Sequence, residues 1–355
     1  MLNTRAGEYL NNNDVVNSND LRKHLLSVDS RFRSNYGESA TNFSYALAHP
    51  YKNVIRLRLA SIEIPNTFYT FTEKNNSFII AALDITGVKR TVTITITPGN
   101  YVSVELINVL QVQFDTKLRD PYGLFFTIAL DVNTARVTIT HAGLSAYPVT
   151  IPNPTPTTSA KPFDITFATL EVFEQRYTAF GLGHNLGYRM PSYKVTNAVA
   201  VAGPPALTTY ALTAEAFVDA VGEKYLLLAV NDFYTVEQKT DKTYLQALAK
   251  VIIREEKYAV IYDDGASYIS NEIIFPSPMD LKHLIIKLMD PYGQVVDLNG
   301  ADISLTFEIT EVLNIRLYDF YRNYIWMGSV PSIKKPQGSN IPVLGGMGGV
   351  GRGPV

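Results

Sequence analysis

Residues Thr91 to Thr97 read Thr-Val-Thr-Ile-Thr-Ile-Thr. Strict alternation puts Val92, Ile94 and Ile96 on one side of an extended chain and threonines on the other. Such a run predicts a half-buried strand, because β-branched side chains pack well on a pleated surface. It ends at Pro98-Gly99-Asn100, residues that favour a turn. Val54 to Leu59 repeats the pattern, with Arg56 and Arg58 on one face and Ile55, Leu57 and Leu59 on the other.

The reading recurs along the chain. Strands are predicted at 43–47, 54–64, 77–83, 124–130 and 136–140, then at 225–230, 249–253, 258–262, 272–275, 283–289 and 303–309. Asp131-Val132-Asn133-Thr134 reads as a hairpin loop. Asp264-Gly265 reads as a turn between 258–262 and a partner at Ala266–Ile269. One amphipathic helix is expected near 103–117, capped near Ser103, with Leu106, Val109, Leu110 and Phe114 on its apolar side. Many short strands with turns between them predict an all-β sandwich or barrel rather than a parallel α/β sheet.

The ends differ from this pattern. Residues 1–24 are polar and Asn-rich and read as an N-terminal arm. The β core spans 25–320, with sub-units at 25–195 and 196–320 if two β units exist. Residues 321–355 form a Gly/Pro-rich tail. From Gly328 onward it carries Lys334, Lys335 and Arg352 with no acidic residue, so it is basic. Alone, such a composition favours disorder. The Pro-rich stretch 146–162 reads as a linker-like loop, and 195–222 is ambiguous.

Two internal echoes stand out. A strand, a Pro-containing bend and a longer strand occur at 43–64 and again at 272–289. Asp120-Pro121-Tyr122-Gly123 recurs as Asp290-Pro291-Tyr292-Gly293. Two related β units and convergent turn chemistry both explain them.

Composition narrows the chemistry. The chain has 355 residues and no cysteine, which excludes disulfides, thiolate metal sites and a cysteine nucleophile. Hydrophobic residues make up 46% and the net charge is −2, so neither wholesale disorder nor a global positive field is expected. Met1–Asn13 has no apolar run of the kind that export signals carry. No stretch is long and apolar enough for a spanning helix.

No catalytic pattern emerges. His24, His49, His141, His184 and His283 are scattered and read as packing or surface residues. Gly181–Gly187 is Gly-rich but departs from the dinucleotide fingerprint and reads as a loop. Asp263-Asp264-Gly265 lacks calcium-loop spacing. Asp29 with Arg31 and Arg33 suggests local ion pairs. The expectation is no catalytic residue, no cofactor and no metal. Arg22, Arg31, Lys334, Lys335 and Arg352 are the candidate partner contacts.

A succession of segments carries a family resemblance. Leu26–Arg33 comes first, then Asn42-Phe43, then Pro50–Ile55 leading into Leu59–Asn66. Pro98–Tyr101 and the helix follow, then Tyr225–Phe233, Asp290–Gly293, Asp297–Gly300 and Ser304–Ile309. Over roughly residues 25–312 this order resembles the minor capsid proteins of large nucleocytoplasmic DNA viruses, the giant viruses of algae and amoebae. The resemblance implies a jelly-roll-like antiparallel β-sandwich, a place in an icosahedral virion and no catalysis. It implies assembly in host cytoplasm beside the major capsid protein and other minor capsid proteins. Self-association fits that setting, no specific nucleic acid is expected, and membrane contact would be peripheral, from an inner layer. Related folds serve as pentameric vertex (penton) proteins or as cement beneath the shell, and extended termini favour cement.

Two other classes stay open. Tyr-rich strands suit a carbohydrate-binding sandwich, given 22 Tyr and 17 Phe against 1 Trp. A glycoside hydrolase needs two convergent carboxylates. Glu63 and Glu308 are the strand-borne candidates for them.

Overall fold

The computed structural model describes residues 20–146, 155–167, 181–201, 207–240, 244–264, 272–316 and 318–319. The chain is an all-β protein of antiparallel sheets with one long helix, as the period-two runs require. Residues 22–311 form one compact unit, and the described residues 20–21, 312–316 and 318–319 belong to a second. In the terminal unit, the Leu313 N–H donates to Asp20 O at 2.9 Å.

Seven strands of the large unit make a sheet curled into half a barrel. They are β1 (Leu21–Asp29), β2 (Asn42–Pro65), β11 (Tyr225–Val230), β14 (Ala249–Ile252), β15 (Val260–Asp263), β16 (Glu272–Met289) and β17 (Ser304–Val312). Their order is β1-β17-β2-β16-β11-β14, with β15 also on β2. Alternation on β2 buries Leu57, Leu59, Ile62 and Ile64, which join Leu228, Ile286 and Phe307 in one core.

Between β2 and β11 the chain builds a second core from two four-stranded sheets. One is ordered β4-β3-β7-β8, using β3 (Ser77–Leu83), β4 (Lys89–Thr95), β7 (Phe163–Thr166) and β8 (Ser192–Val195). The other is ordered β5-β6-β10-β9, using β5 (Leu124–Asp131), β6 (Arg136–Leu144), β9 (Ala198–Val201) and β10 (Leu207–Thr213). Helix α1 (Ser103–Phe114) adds Leu106, Leu110 and Phe114 to this core. The buried residues of the second core run from Phe71 to Ala220, and those of the first lie on both sides of that span. The 195/196 boundary falls between β8 and β9, in the middle of the second group.

Several local expectations are modified. The bends expected at Pro50 and at Pro276 and Pro278 do not break the strands. β2 runs for 24 residues and β16 for 18. The two pair with each other, and register shifts between Ile274 and His283 absorb the prolines. The 43–64 and 272–289 echo is therefore a pair of adjacent strands in one sheet.

The last residues of the expected arm, from Leu21, already belong to β1. Val102, not Ser103, occupies the helix N-cap, with its N–H 3.4 Å from Glu105 Oε2. Helical backbone continues past 117 through a π turn, Asp115–Arg119, to Tyr122, and stops at left-handed Gly123. The strand expected at 91–97 is displaced to 89–95. The 131–134 loop joins β5 to β6 as a hairpin. Short strands that escaped sequence reading include β8, β12 (Val236–Lys239) and β13 (Tyr244–Ala247), and the ambiguous stretch 195–222 holds β9 and β10; among the described residues β12 and β13 pair only with each other. Ala266–Ile269 and most of the 146–162 loop lie outside the described residues, and β15 pairs with β2.

Candidate functional site

Charged residues on the half-barrel's outer face form a cross-strand ladder. Arg58 stands opposite Glu308 of β17 and binds it at 3.3 Å, while Lys23 of β1 reaches the same carboxylate at 3.0 Å. Arg56 binds Glu272 of β16 at 3.2 Å, and His24 binds Glu311 at 2.8 Å. The basic partners hold the Glu308 carboxyl below its ordinary range, against the opposing effect of burial. Glu63 sits five residues from Arg58 along β2, about 17 Å at the usual strand rise. The hydrolase mechanisms need carboxyl groups about 5–9.5 Å apart. Glu63 and Glu308 therefore do not converge.

Sequence-nominated contacts fall in two places. Arg22 is exposed on β1. Arg31 is tied to Asp29 through its guanidinium, and it overlooks the Phe32 ring at 5.8 Å. Arg33 pairs with Asp302 at 3.3 Å rather than with Asp29, and caps the Tyr36 ring at 4.1 Å. Phe32 and Tyr36 are 72% and 73% exposed, so this corner is an aromatic surface with cations on it. Lys334, Lys335 and Arg352 lie outside the described residues.

The remaining motifs are structural. Gly183 packs against Phe167, where an added Cβ would lie 2.2 Å from the ring, so the Gly-rich run is a tight turn. His141 is fully buried, stacked on Phe126 with centroids 4.5 Å apart and planes 3° apart. Its Nδ1–H donates to Lys161 O at 2.8 Å, and burial pushes its pKa down to about 4.

A cleft of about 530 Å³ opens where the two cores meet. Its lining includes Phe68, Tyr69, Asp219, Glu223, Asp290 and Tyr292. Asp290 Oδ1 accepts the N–H groups of Tyr292 and Gln294, each at 2.9 Å. Burial, with Asp290 nearby, pushes Glu223 up to about 7. Burial also lowers Lys257 to about 8, and its ammonium sits 3.6 Å above the Phe68 ring. Sequence reading missed this cluster. Its one signal was the repeated Asp-Pro-Tyr-Gly, whose second copy supplies Asp290 and Tyr292. Among the described residues no group of three or more His, Asp or Glu side chains is placed to hold a metal ion. No described helix is long and apolar enough to cross a membrane.

An exposed apolar segment lies on the opposite side of β2 from β17. Tyr258, Val260 and Tyr262 are 68%, 55% and 61% exposed, while Ile261 between the last two is buried. The loop before β15 is clamped by buried Asn66, whose Nδ2 donates to Glu255 O at 2.9 Å and Glu256 O at 3.1 Å.

No family model matches the chain, and no curated protein matches it. Among solved structures, the mavirus penton protein is similar over 82% of this chain and 99% of that one, with 9% identity and a TM-score of 0.35.

Proposed function

We propose that this chain is a non-catalytic structural protein of an icosahedral virus shell. In this reading it is a minor capsid protein that cements the shell through its β core and its termini. Its partners are the major capsid protein, other minor capsid proteins and further copies of itself. Its place is the virion, after assembly in host cytoplasm.

One observation carries the reading. Apart from Pro98–Tyr101 and the helix, the segments that bear the family resemblance fall on the half-barrel sheet and the turns beside it. Leu26–Arg33 runs through β1, Asn42–Asn66 is β2, Tyr225–Phe233 begins with β11, Asp290–Gly293 closes β16 and Ser304–Ile309 is β17. Segments scattered along the sequence are thus gathered into one sheet around one core, in a spatial order that differs from their order along the chain. The exposed aromatic groups at Phe32, Tyr36, Tyr258 and Tyr262 suit packing against neighbours, where tyrosine is enriched.

Deleting Gly328–Val355 tests the cement role. The truncated chain should fold with unchanged thermal stability and enter particles at a reduced level. Normal incorporation would overturn the clamp. A second reading is a pentameric vertex subunit, favoured by the separate two-sheet core between β2 and β11, an added module of the kind that could face outward. Localising the chain within particles separates the two: density on fivefold axes alone would select the vertex.

A further inference from the structure

The cleft beside Asp290 is walled by four stretches of chain that hydrogen bonds lock together. Segment 68–75 follows β2, 184–185 belongs to the Gly-rich turn, 219–223 leads into β11 and 290–299 follows β16. Lys74 Nζ donates to Gln294 Oε1 at 2.7 Å and Asn299 Nδ2 to Thr67 O at 2.6 Å, which ties the first stretch to the last. Thr70 Oγ1 donates to Val221 O at 3.3 Å, and Asn185 Nδ2 to Asp219 O at 2.9 Å. Asp290 Oδ1 fixes its own turn by accepting the N–H groups of Tyr292 and Gln294. The cavity is therefore preformed, and a ligand need not order its walls. Its volume, about 530 Å³, lies within the range of small-ligand sites.

The charges around it select against most ligand classes. Asp219, Glu223, Asp290 and Asp297 line the cleft. The ammonium groups nearby are engaged by the protein: Lys74 by Gln294, Lys224 by Asp219 Oδ1 at 3.0 Å, and Lys257 by Phe68 O at 2.9 Å. His184, also in the lining, is neutral near pH 7, because burial and Arg189 push it down to about 4. A phosphate, sulfate or carboxylate ligand would meet carboxylates with every one of these cations already bonded. The same three lysines offset the carboxylate charge, so the site does not demand a cation either. A wholly apolar ligand would strand the polar groups. Among the described residues no His, Asp and Glu cluster is placed to hold a metal ion.

A neutral ligand rich in hydroxyl groups satisfies the lining. Tyr69 is 40% exposed and supplies an aromatic face, and Tyr292 adds a second ring to the walls. The C–H faces of a pyranose ring pack on such faces, while its hydroxyls bond carboxylates and amides. A hydroxyl both donates and accepts. Glu223, raised to about 7, can do the same near neutral pH, since its carboxyl is then partly protonated.

We infer that this cleft binds a neutral saccharide, a mono- or disaccharide unit, with Tyr69 as the face on which a ring stacks and Glu223 and Asp290 as hydroxyl partners. The inference goes beyond the shell role and does not depend on it.

Titration of the full-length chain with neutral sugars tests it. The probes are the methyl glycosides of glucose, galactose and mannose, N-acetylglucosamine, maltose, lactose and cellobiose, read by saturation-transfer NMR and calorimetry. At least one should bind with a millimolar or lower Kd, and neither glucose 6-phosphate nor putrescine should displace it. Tyr69→Ala and Glu223→Ala should each weaken binding about tenfold. Tyr69→Phe, which keeps the ring, and Tyr36→Ala, outside the lining, should bind as wild type does. Circular dichroism melts establish that every variant is folded. Silence across the whole panel overturns the inference, as does sugar binding that survives both alanine variants. Putrescine binding without sugar binding overturns it too and makes the cleft a cation site. A chain that binds sugar but never enters particles refutes the shell role alone, and one that enters particles but binds no sugar refutes the cleft's role alone.

Discussion

Asn66 holds Tyr258 in a left-handed backbone conformation. The Tyr258 N–H donates to Asn66 O at 2.9 Å, and φ at Tyr258 is 71°. The asparagine is buried at the end of β2, so a core position dictates the geometry of an exposed loop.

Two substitutions separate the clamp from the strain. Asn66→Ala removes both side-chain bonds to the 255–256 carbonyls and should cost about 2–3 kcal/mol. Tyr258→Asn keeps the left-handed backbone in a residue that tolerates it and should gain up to about 1 kcal/mol. Urea unfolding reads both. Loss of stability in Tyr258→Asn would mean that the ring contributes more than its exposure suggests.

His141 makes acid stability predictable. Its folded pKa of about 4 lies below the ordinary 6.5 because burial disfavours the charged form. The neutral ring is therefore the folded form. The benefit is complete above pH 6.5 and is lost progressively as pH falls toward 4, by up to about 3 kcal/mol. His184, also held near 4, shares the window, so the comparison must be with a variant. The stability advantage of wild type over His141→Phe should shrink between pH 6.5 and 4. A constant difference across that range would mean that His141 does not titrate there.

Glu223 works in the opposite direction. Burial raises it from 4.5 to about 7, with Asp290 and Asp219 adding to the effect and Lys224 and Lys257 opposing it. Ionisation is thus disfavoured in the folded chain, and stability falls as pH rises from 4.5 through 7. The group is partly solvated, so the loss should be about 1–2 kcal/mol after screening. Glu223→Gln should match wild type at pH 4 and exceed it at pH 8 in denaturant midpoint. Equal midpoints at pH 8 would place the carboxylate in water.

The repeated Asp-Pro-Tyr-Gly motif offers a matched pair. Gly123 and Gly293 both have left-handed φ, 65° and 86°. A Cβ on Gly123 would lie 2.1 Å from the backbone oxygen of Ser145, which cannot move aside cheaply. At Gly293 the nearest atom is the Leu245 methyl Cδ2 at 2.6 Å, which can turn away. Gly123→Ala should cost about 3 kcal/mol or more, and Gly293→Ala about 1–2 kcal/mol. Thermal melts of the two variants should rank them in that order.

Legibility followed locality. Ser77–Leu83 is a strand at its expected bounds because alternation records which side chains meet the core. The 131–134 loop and the helix start near 103 were readable for the same reason. β12 and β13 were not, because Val236–Lys239 and Tyr244–Ala247 are short and carry little apolar signal. Glu223 was invisible as a cleft residue, since its partners Asp290 and Lys257 come from distant sequence.

By itself the sequence determined most of the longer strand-forming segments, the long helix near 103–114, the turns at Pro98–Asn100 and 131–134, and the absence of thiol chemistry. Each depends on residues a few positions apart. Tertiary structure decided which strands share a sheet and which apolar faces share a core. It ran β2 and β16 through their prolines because each supplies the other's hydrogen-bonding edge and bulges absorb the mismatch. It also set the second core, Phe71 to Ala220, between two strands of the first. Pairing between residues more than two hundred positions apart is selected by the total burial it permits, a quantity no local pattern contains.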